Sequence, residues 1–261
     1  MRKRRRLGIR ITVLLFTLIL ISALTACSDT SETDGLKGEY TVVSDTSFVP
    51  FEFKEDGEYV GFDIDLIYAI AEEAGFEINF ETTNFDGIIP GLQTGQFDIA
   101  IAGIGITEER TKTIDYSDPY YESGLQIAVS IDNDTINSLE DLEGKTIATR
   151  LGSTSAAFIE ENIDDAEMNQ YEQLDQAYLA VENGSVDAIL YDAPNVAYYI
   201  QTEGEDTLKM VGDLYQAENY GIAITKGKDE LVEAINEALK TLKENGTYDE
   251  IYEKWFGEKP K

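Results

Sequence analysis

Histidine is absent from this chain of 261 residues, and cysteine occurs once, at Cys27. Without an imidazole, the Ser-His and Cys-His pairs that activate a catalytic nucleophile cannot form. Metal sites built from imidazole or thiolate are excluded for the same reason, and a lone cysteine excludes an intramolecular disulfide. The sequence also has no Asp-x-Asp-x-Asp-Gly calcium loop. It therefore predicts neither a metal nor a cofactor.

The first 27 residues have the pattern of an export signal. Six basic residues come before residue 11, an apolar run covers residues 11–21, and residues 24–27 read LTAC. The run is shorter than the roughly 20 residues of a membrane-spanning helix, and LTAC resembles the lipobox of bacterial lipoproteins. We therefore predict a signal peptide over residues 1–26 and lipidation of Cys27, which would anchor the protein to the outer face of the cell membrane. A plain secretory signal and an N-terminal membrane anchor are the alternatives.

Basic residues are few, 20 against 51 acidic residues. Loss of residues 1–26 would remove six basic residues and no acidic one, so the net charge would change from −31 to −37. Such a surface repels nucleic acid and anionic lipid, so neither is an expected partner. Because salt screens repulsion between carboxylates, the excess acid suggests a salty or alkaline habitat.

Arginine is scarcer still after residue 26, where Arg110 and Arg150 stand against twelve lysines. A guanidinium binds a carboxylate or an amide oxygen with two parallel hydrogen bonds, which a lysine cannot do. Two surface charges left by chance are the alternative. The positions of these two arginines relative to the predicted strands, given below, favour a functional role for both.

Strand and helix patterns alternate along the chain. The predicted strands are residues 40–44, 77–81, 97–102, 145–149 and 186–190, and the predicted helices are residues 62–74, 86–93, 153–162 and 174–182. Asp86 is the expected cap of the second helix. This order predicts an α/β protein with parallel sheets and helices on their faces.

Two similar segments indicate two lobes of similar build. Residues 93–101 (QTGQFDIAI) and 182–190 (ENGSVDAIL) each join a helix end, a glycine stop and a strand that opens with Asp. Apolar runs at residues 124–131 and 220–225 predict two strands that cross between the lobes. Residues 229–256 predict an amphipathic helix, broken at Gly246, that packs on the first lobe.

These patterns predict a division of the chain into four parts. They are the signal peptide (1–26), a flexible tether (27–36), a first lobe (37–121 and 221–261) and a second lobe that includes the hinge strands (122–220).

Ligands of such sheets bind beyond the carboxyl ends of the strands. The candidate residues that follow the predicted strands are Asp45, Phe48, Phe85, Ala102, Gly103, Gly105, Arg110, Arg150, Thr154, Tyr191 and Asp192. Singly, most of them have ordinary interpretations, as core aromatics, turn glycines or a helix cap. Both rare arginines belong to this set, however, and we therefore interpret the set as a binding site.

The set is complementary to an α-amino acid. Arg110 can bind the α-carboxylate, helped by backbone N–H groups of Gly105 and of the helix that begins near Thr154. Asp192 can bind the α-ammonium group, and aromatic rings can wall the side chain.

The side-chain preference depends on Asp45 and Arg150. If both reach the far end of the pocket, a neutral amide satisfies both, and glutamine is favoured over the shorter asparagine. If Arg150 turns to solvent or pairs with an acidic neighbour, Asp45 alone favours arginine or lysine.

The chain resembles the polar amino-acid-binding family of ABC importer substrate-binding proteins, particularly its glutamine-binding members. The matching stretches are residues 47–54 (SFVPFEFK), 59–66 (YVGFDIDL), 87–94 (GIIPGLQT), 102–110 (AGIGITEER), 120–124 (YYESG) and 244–257 (ENGTYDEIYEKWFG). The resemblance implies a two-lobed periplasmic binding protein type II (Venus flytrap) fold with two hinge strands and no catalysis. It also implies ligand contacts for Asp45, Phe48, Phe85, Gly103, Arg110 and Asp192.

The sequence departs from the glutamine-binding members at three positions. Gly105 replaces Thr, Arg150 replaces Lys and Tyr191 replaces His, which keeps the amino-acid class but leaves the side-chain preference open. We expect a monomer that delivers an amino acid to the permease of an ABC importer. A dehydratase-like enzyme on the same fold and a sensory ectodomain are the alternatives.

Overall fold

A computed structural model describes residues 36 and 38–260. The predicted signal peptide, Cys27 and all of the predicted tether except Leu36 lie outside the described residues. Within the described part of the chain, no helix combines the length and the apolar character needed to cross a membrane.

Seven strands and three helices come first along the chain. The strands are β1 (Glu39–Ser44), β2 (Ser47–Phe48), β3 (Glu52–Glu55), β4 (Glu58–Val60), β5 (Glu77–Thr82), β6 (Ile99–Ala100) and β7 (Ile114–Tyr116). The helices are α1 (Phe62–Ala74), α2 (Phe85–Thr94) and α3 (Glu108–Thr111).

Six more strands and five helices follow along the described part of the chain. The strands are β8 (Tyr121–Ser130), β9 (Thr146–Arg150), β10 (Glu167–Tyr171), β11 (Ala188–Asp192), β12 (Leu208–Tyr220) and β13 (Ala223–Thr225). The helices are α4 (Thr154–Asn162), α5 (Leu174–Glu182), α6 (Ala193–Thr202), α7 (Asp229–Asn245) and α8 (Thr247–Phe256).

Two five-stranded sheets form the centres of two lobes. The first sheet has the order β5-β1-β6-β13-β7, with β1 parallel to β5 and β6. The second has the order β10-β9-β11-β8-β12, with β9 parallel to β10 and β11. The central β1 carries the fully buried Val42 and Val43, as expected of a parallel strand covered on both faces. The carboxyl ends of these parallel strands carry the candidate residues.

The two lobes are joined by β8 and β12, which pair antiparallel from Tyr121↔Tyr220 to Ser130↔Leu208. The register shifts between Val211 and Tyr215 and again between Tyr215 and Glu218. The first hinge strand, predicted at residues 124–131, is β8, which begins three residues earlier and ends one residue earlier. The second prediction, residues 220–225, is wrong, because β12 ends at Tyr220 and β13 belongs to the first sheet. Much of β12 is polar and exposed, so its apolar signal is weak.

The helix predictions are confirmed where a periodic apolar face meets a glycine stop. The bounds of α1 and α5 match the prediction, and α1 ends at Gly75 with φ 80°, a left-handed conformation that glycine adopts without strain. Asp86 as a helix cap is wrong, since α2 begins one residue earlier and Asn84 holds the cap position. The strand predicted at residues 97–102 is reduced to β6, although Asp98 and Ile101 still donate backbone hydrogen bonds to β1.

The C-terminal helices lie against α1 of the first lobe. Ile235, Ala238 and Leu239 of α7 are buried there, and Gly246 separates α7 from α8 in a left-handed conformation. The break predicted at Gly246 is confirmed. The exact residue bounds of the two lobes stay a prediction.

Candidate functional site

The candidate residues meet between the lobes, beside a groove of about 790 Å³. Phe85 and Arg110 line it from the first lobe, Gly152 and Thr154 line it from the second, and Gln216 lines it from β12. Asp45, Arg150 and Asp192 are nearly inaccessible and lie behind these residues. The site therefore has an open side and a buried floor.

Asp45 and Arg150 form an ion pair that joins the two lobes. Arg150 Nη2 lies 2.5 Å from Asp45 Oδ2 and 3.2 Å from Ser47 Oγ, and both side chains of the pair are 1% exposed. Asp45 Oδ1 and Arg150 Nε and Nη1 have no hydrogen-bond partner among the described residues. The sequence analysis left open whether both groups reach the same end of the pocket, and the structure brings them into direct contact. One acceptor oxygen and two donor nitrogens remain.

Arg110 lies across the groove from α4. It sits in α3, whose cap Thr107 accepts a hydrogen bond from the Arg110 N–H group at 3.2 Å. Its Nη1 and Nη2 atoms donate to the carbonyl oxygens of Gly105 and Gly152, each at 3.0 Å. The guanidinium is thus held at the lobe boundary by one carbonyl from each lobe.

Phe85 lies beneath both guanidinium groups. Its ring centre is 5.1 Å from the Cζ atom of Arg150 and 5.9 Å from that of Arg110. These distances fit cation–π contact. Phe85 therefore helps to hold the two positive charges over the groove, besides offering an apolar wall.

Asp192 is the negative counterpart on the second lobe. It ends β11 and occupies the cap position of α6, but its side chain makes no capping hydrogen bond. Instead, its Oδ2 atom accepts a hydrogen bond from the Tyr220 hydroxyl, and Oδ1 has no partner among the described residues. Burial, and then the neighbouring Glu218 carboxylate, raise the pKa of Asp192 well above its usual range.

Glu218 and Tyr220 of β12 were missed by the sequence analysis. Both are buried, and Glu218 lies between Gly105, Thr154 and Asp192. Burial raises the pKa of Glu218, and the Thr154 hydroxyl and Arg110 oppose that shift. The period-two pattern Glu218-Asn219-Tyr220, with both ends buried, could have revealed them only if the second hinge strand had been placed correctly.

Phe48 and Tyr191 form the aromatic floor. The Phe48 ring stacks on Phe51 at 4.8 Å and meets the edge of Tyr191 at 5.9 Å. Both predicted residues therefore lie at the base of the site, where they pack against other rings.

The loop after β6 contributes backbone groups, and not side chains, to the candidate site. Ala102 is buried, and the N–H group of Gly103 donates to Asp63 Oδ2 at 2.8 Å, so it is directed away from the groove. The hydrogen bonds that tie the loop to β12 are made by the neighbours of Gly105, Ile104 and Ile106. On the second lobe, Thr154 opens α4 after the cap Ser153, whose Oγ accepts from the backbone of the helix.

Two α/β lobes joined by a pair of antiparallel strands, with charged residues facing each other across the gap, define the periplasmic binding protein type II fold. The model of the bacterial extracellular solute-binding proteins, family 3, matches residues 40–258. The chain belongs to this family.

Two relatives show the range within the family. The arginine-binding periplasmic protein of Mannheimia haemolytica is 35% identical over 246 residues, which cover 92% of this chain and 98% of the relative. The ABC transporter glutamine-binding protein GlnH of Bacillus subtilis (strain 168) is 36% identical over 231 residues, covering 87% and 84%.

Solved structures agree with this assignment. An ancestral arginine-binding protein bound to arginine superposes with a TM-score of 0.80 at 44% identity, covering 84% of this chain and 98% of that one. An ancestral amino acid-binding protein, a precursor of cyclohexadienyl dehydratase, superposes with a TM-score of 0.77 at 43% identity, covering 84% and 96%.

Proposed function

We propose that this protein is an extracytoplasmic receptor that binds a polar L-amino acid between its lobes and delivers it to an ABC importer. Support comes from its family, and from the relatives named for amino-acid binding. We further propose that it acts as a monomer held at the membrane by a lipid on Cys27, which lies outside the described residues.

Opposite charges at the lobe boundary support binding of the amino-acid backbone. Arg110, on the first lobe, is suited to the α-carboxylate, and the start of α4 at Thr154 faces the same groove with its N–H groups. Asp192, on the second lobe, is suited to the α-ammonium group. Because neither lobe supplies both charges, binding would hold the lobes together.

The Asp45–Arg150 pair is the observation that carries the choice of glutamine. The two groups neutralise each other, so a further charge at the end of the ligand gains little from either. What remains is an acceptor, Asp45 Oδ1, beside two donors, Arg150 Nε and Nη1. A carboxamide matches this arrangement, because its NH₂ group donates and its oxygen accepts.

A basic amino acid is the second candidate, and the charge balance of the site favours it. Three buried carboxylates, those of Asp45, Asp192 and Glu218, face two guanidinium groups. A ligand with one positive charge beyond its zwitterion would offset the remaining negative charge. An ancestral relative of this chain has been solved both with arginine and with glutamine.

Calorimetry of the purified protein against glutamine, glutamate, asparagine, arginine, lysine and histidine tests the proposal. We expect glutamine to bind most tightly and glutamate poorly. Tighter binding of arginine or lysine would overturn the choice of glutamine, but the proposal of an amino-acid receptor would stand. A ligand that is converted to a released product would instead support the dehydratase-like alternative.

A further inference from the structure

We infer that Glu218 is a second acceptor for the ligand's α-ammonium group, opposite Asp192, and that Gly105 provides the space this carboxylate needs. The inference rests on the proposed function, since it assumes an amino-acid ligand. It adds a hinge-strand residue to a site otherwise built from the two lobes.

The hinge strand turns Glu218 toward the site. The register of β12 shifts between Tyr215 and Glu218, and Gln216 has a left-handed backbone with φ 40°. A bulge of this kind re-aims the side chains that follow it. After the bulge, Glu218 and Tyr220 face inward, and the intervening Asn219 is exposed.

Glu218 is poorly satisfied by the protein itself. The residue is 9% exposed, and neither carboxylate oxygen has a hydrogen-bond partner of good distance and angle among the described residues. The Thr154 and Gln216 side chains lie near enough to lower its pKa, but not in a geometry that satisfies the carboxylate. A buried carboxylate without a partner is costly. The nearest guanidinium, that of Arg110, donates to two backbone carbonyls instead. A cation placed between Glu218 and Asp192 would satisfy both carboxylates.

A side chain at position 105 would collide with this carboxylate where it now lies. A Cβ atom at position 105 would lie 2.7 Å from the carboxyl carbon of Glu218 and 3.1 Å from Thr154 Cγ2. To make room for that atom, the Glu218 carboxylate would have to swing away from its place beside Thr154 and Asp192. The glycine and the glutamate therefore act as one unit.

The position of Glu218 fixes what it recognises. It lies beside Asp192, which is assigned to the α-ammonium group, and among Gly105, Arg110 and Thr154, which are assigned to the α-carboxylate, and not beside the Asp45–Arg150 pair. Of the two charged groups of the ligand backbone, a carboxylate attracts only the ammonium. A primary ammonium has three donors and can serve two carboxylates at once. The site should therefore demand a primary α-ammonium group, whatever the ligand's side chain.

Glu218→Gln tests this role, with L-glutamine and L-arginine as probes in calorimetry. Loss of one charged contact should weaken the binding of both ligands by the same factor, about 10- to 100-fold. Glu122→Gln, an exposed position on the partner hinge strand, is the matched control and should leave both affinities unchanged. Unchanged affinity of Glu218→Gln would overturn the inference, and so would weaker binding of arginine alone.

The pH dependence of the affinity separates a role in ligand binding from a purely structural role, because a structural role would not change it. Protons compete with the ligand's ammonium for the two carboxylates, so wild-type affinity should fall as the pH is lowered. In Glu218→Gln the neighbouring charge that raises the pKa of Asp192 is gone, and the fall should begin at a lower pH. The same pH profile in both proteins would contradict the inference.

A double-mutant cycle keeps the test independent of folding defects. Gly105→Ala should weaken binding in the wild type but cost little in a Glu218→Ala background, where the carboxylate that it would strike is absent. Additive losses would overturn the pairing of the two residues. If the wild type binds no amino acid, the proposed function fails as well; if it binds while all these variants match it, only the present inference fails.

Discussion

The molecule buries two acidic pairs at two depths. Glu52 and Asp63, here called the sealed pair, lie inside the first lobe, and both residues are 0% exposed. Asp192 and Glu218, here called the cleft pair, lie at the lobe boundary and are 4% and 9% exposed. Both pairs place like charges near each other in a poorly solvated place, which is costly unless a proton or a cation intervenes.

The sealed pair has surroundings that suit a proton. Asp63 Oδ2 accepts from the Gly103 N–H group at 2.8 Å and from the Tyr120 hydroxyl at 2.7 Å. Burial raises the pKa of Asp63 to about 7, although those two hydrogen bonds oppose the shift. Burial, then the charges of Asp63 and Asp45, raise the pKa of Glu52 well above its usual range.

The cleft pair differs in what can reach it. Arg110 and Thr154 beside it line the open groove, and the positive charge of Arg110 opposes the rise in the pKa of both carboxyls. We therefore expect the same chemistry, two carboxyls in a poorly solvated place, to affect stability where it is sealed and ligand binding where it faces a groove. Substitutions in the sealed pair should therefore change the stability of the protein, and substitutions in the cleft pair should change its affinity for the ligand.

Asp63→Asn should have the largest effect, on the pH dependence of stability. The folded pKa of Asp63, about 7, exceeds its unfolded value of 3.8, so the folded protein holds the proton more tightly. This contribution is complete below pH 3.8 and is lost as the pH rises through 7. At about 1.4 kcal/mol per pH unit, the wild type should lose on the order of 4 kcal/mol of stability over that window, and Asp63→Asn should not.

Denaturant unfolding at pH 4.5 and pH 8 measures this difference. Asp213→Asn, at an exposed position of β12, is the matched control and should follow the wild type. Parallel pH profiles of the wild type and Asp63→Asn would show that Asp63 takes up no proton on folding.

Asp192→Asn should have the second largest effect, a loss of affinity for the ligand. The asparagine keeps an oxygen for the Tyr220 hydroxyl, so the fold should be retained, while the negative charge that faces the ligand's ammonium is lost. We expect a loss of about 3 kcal/mol in binding, roughly 100-fold or more. Asp63→Asn in the sealed pair is the control and should bind as the wild type does, since its hydrogen-bond partners face away from the groove. Equal losses in both variants would erase the distinction between the pairs.

The sequence predicted the fold well where one local pattern decides it. The periodic face of α1 and its stop at Gly75 needed no tertiary information. The strand ends also placed Asp45 and Arg150 in one cleft, because parallel strands end at the same edge of a sheet. That the two side chains meet could not be predicted, since they are 105 residues apart and belong to different lobes.

Of the four carboxylates in the two acidic pairs, the sequence analysis predicted only that of Asp192, and it missed the other three for a physical reason. Glu52, Asp63 and Glu218 belong to residue types that are almost never fully buried. Glu52 and Asp63 fell within the stretches that carry the family resemblance, but nothing local to them indicates burial. Glu218 lies in a polar hinge strand whose bulge sets the side-chain direction, and a bulge has no reliable local signal.

Arg110→Lys should have a smaller effect than Asp192→Asn, because it keeps the positive charge beside the cleft pair. A lysine cannot bind a carboxylate with two parallel hydrogen bonds or hold the Gly105 and Gly152 carbonyls together. We expect a loss of about 2 kcal/mol for every amino acid alike, since all share the α-carboxylate. Calorimetry with glutamine and arginine checks this, and unchanged affinity would remove Arg110 as the carboxylate ligand.

Lowering the salt concentration should have the smallest effect on stability. Salt screens the exposed carboxylates but not the buried pairs, so this experiment tells the two apart. The Debye length grows from about 3 Å at 1 M salt to about 30 Å at 0.01 M, so repulsion among exposed carboxylates increases. We expect a loss on the order of 1 kcal/mol, or about 2–4 °C in Tm for a protein of this size. The sealed pair has no access to salt ions, so Asp63→Asn should lose as much as the wild type when both are compared at pH 8. A flat Tm would remove the argument for a salty habitat, and a smaller loss in Asp63→Asn would mean that salt reaches the sealed pair.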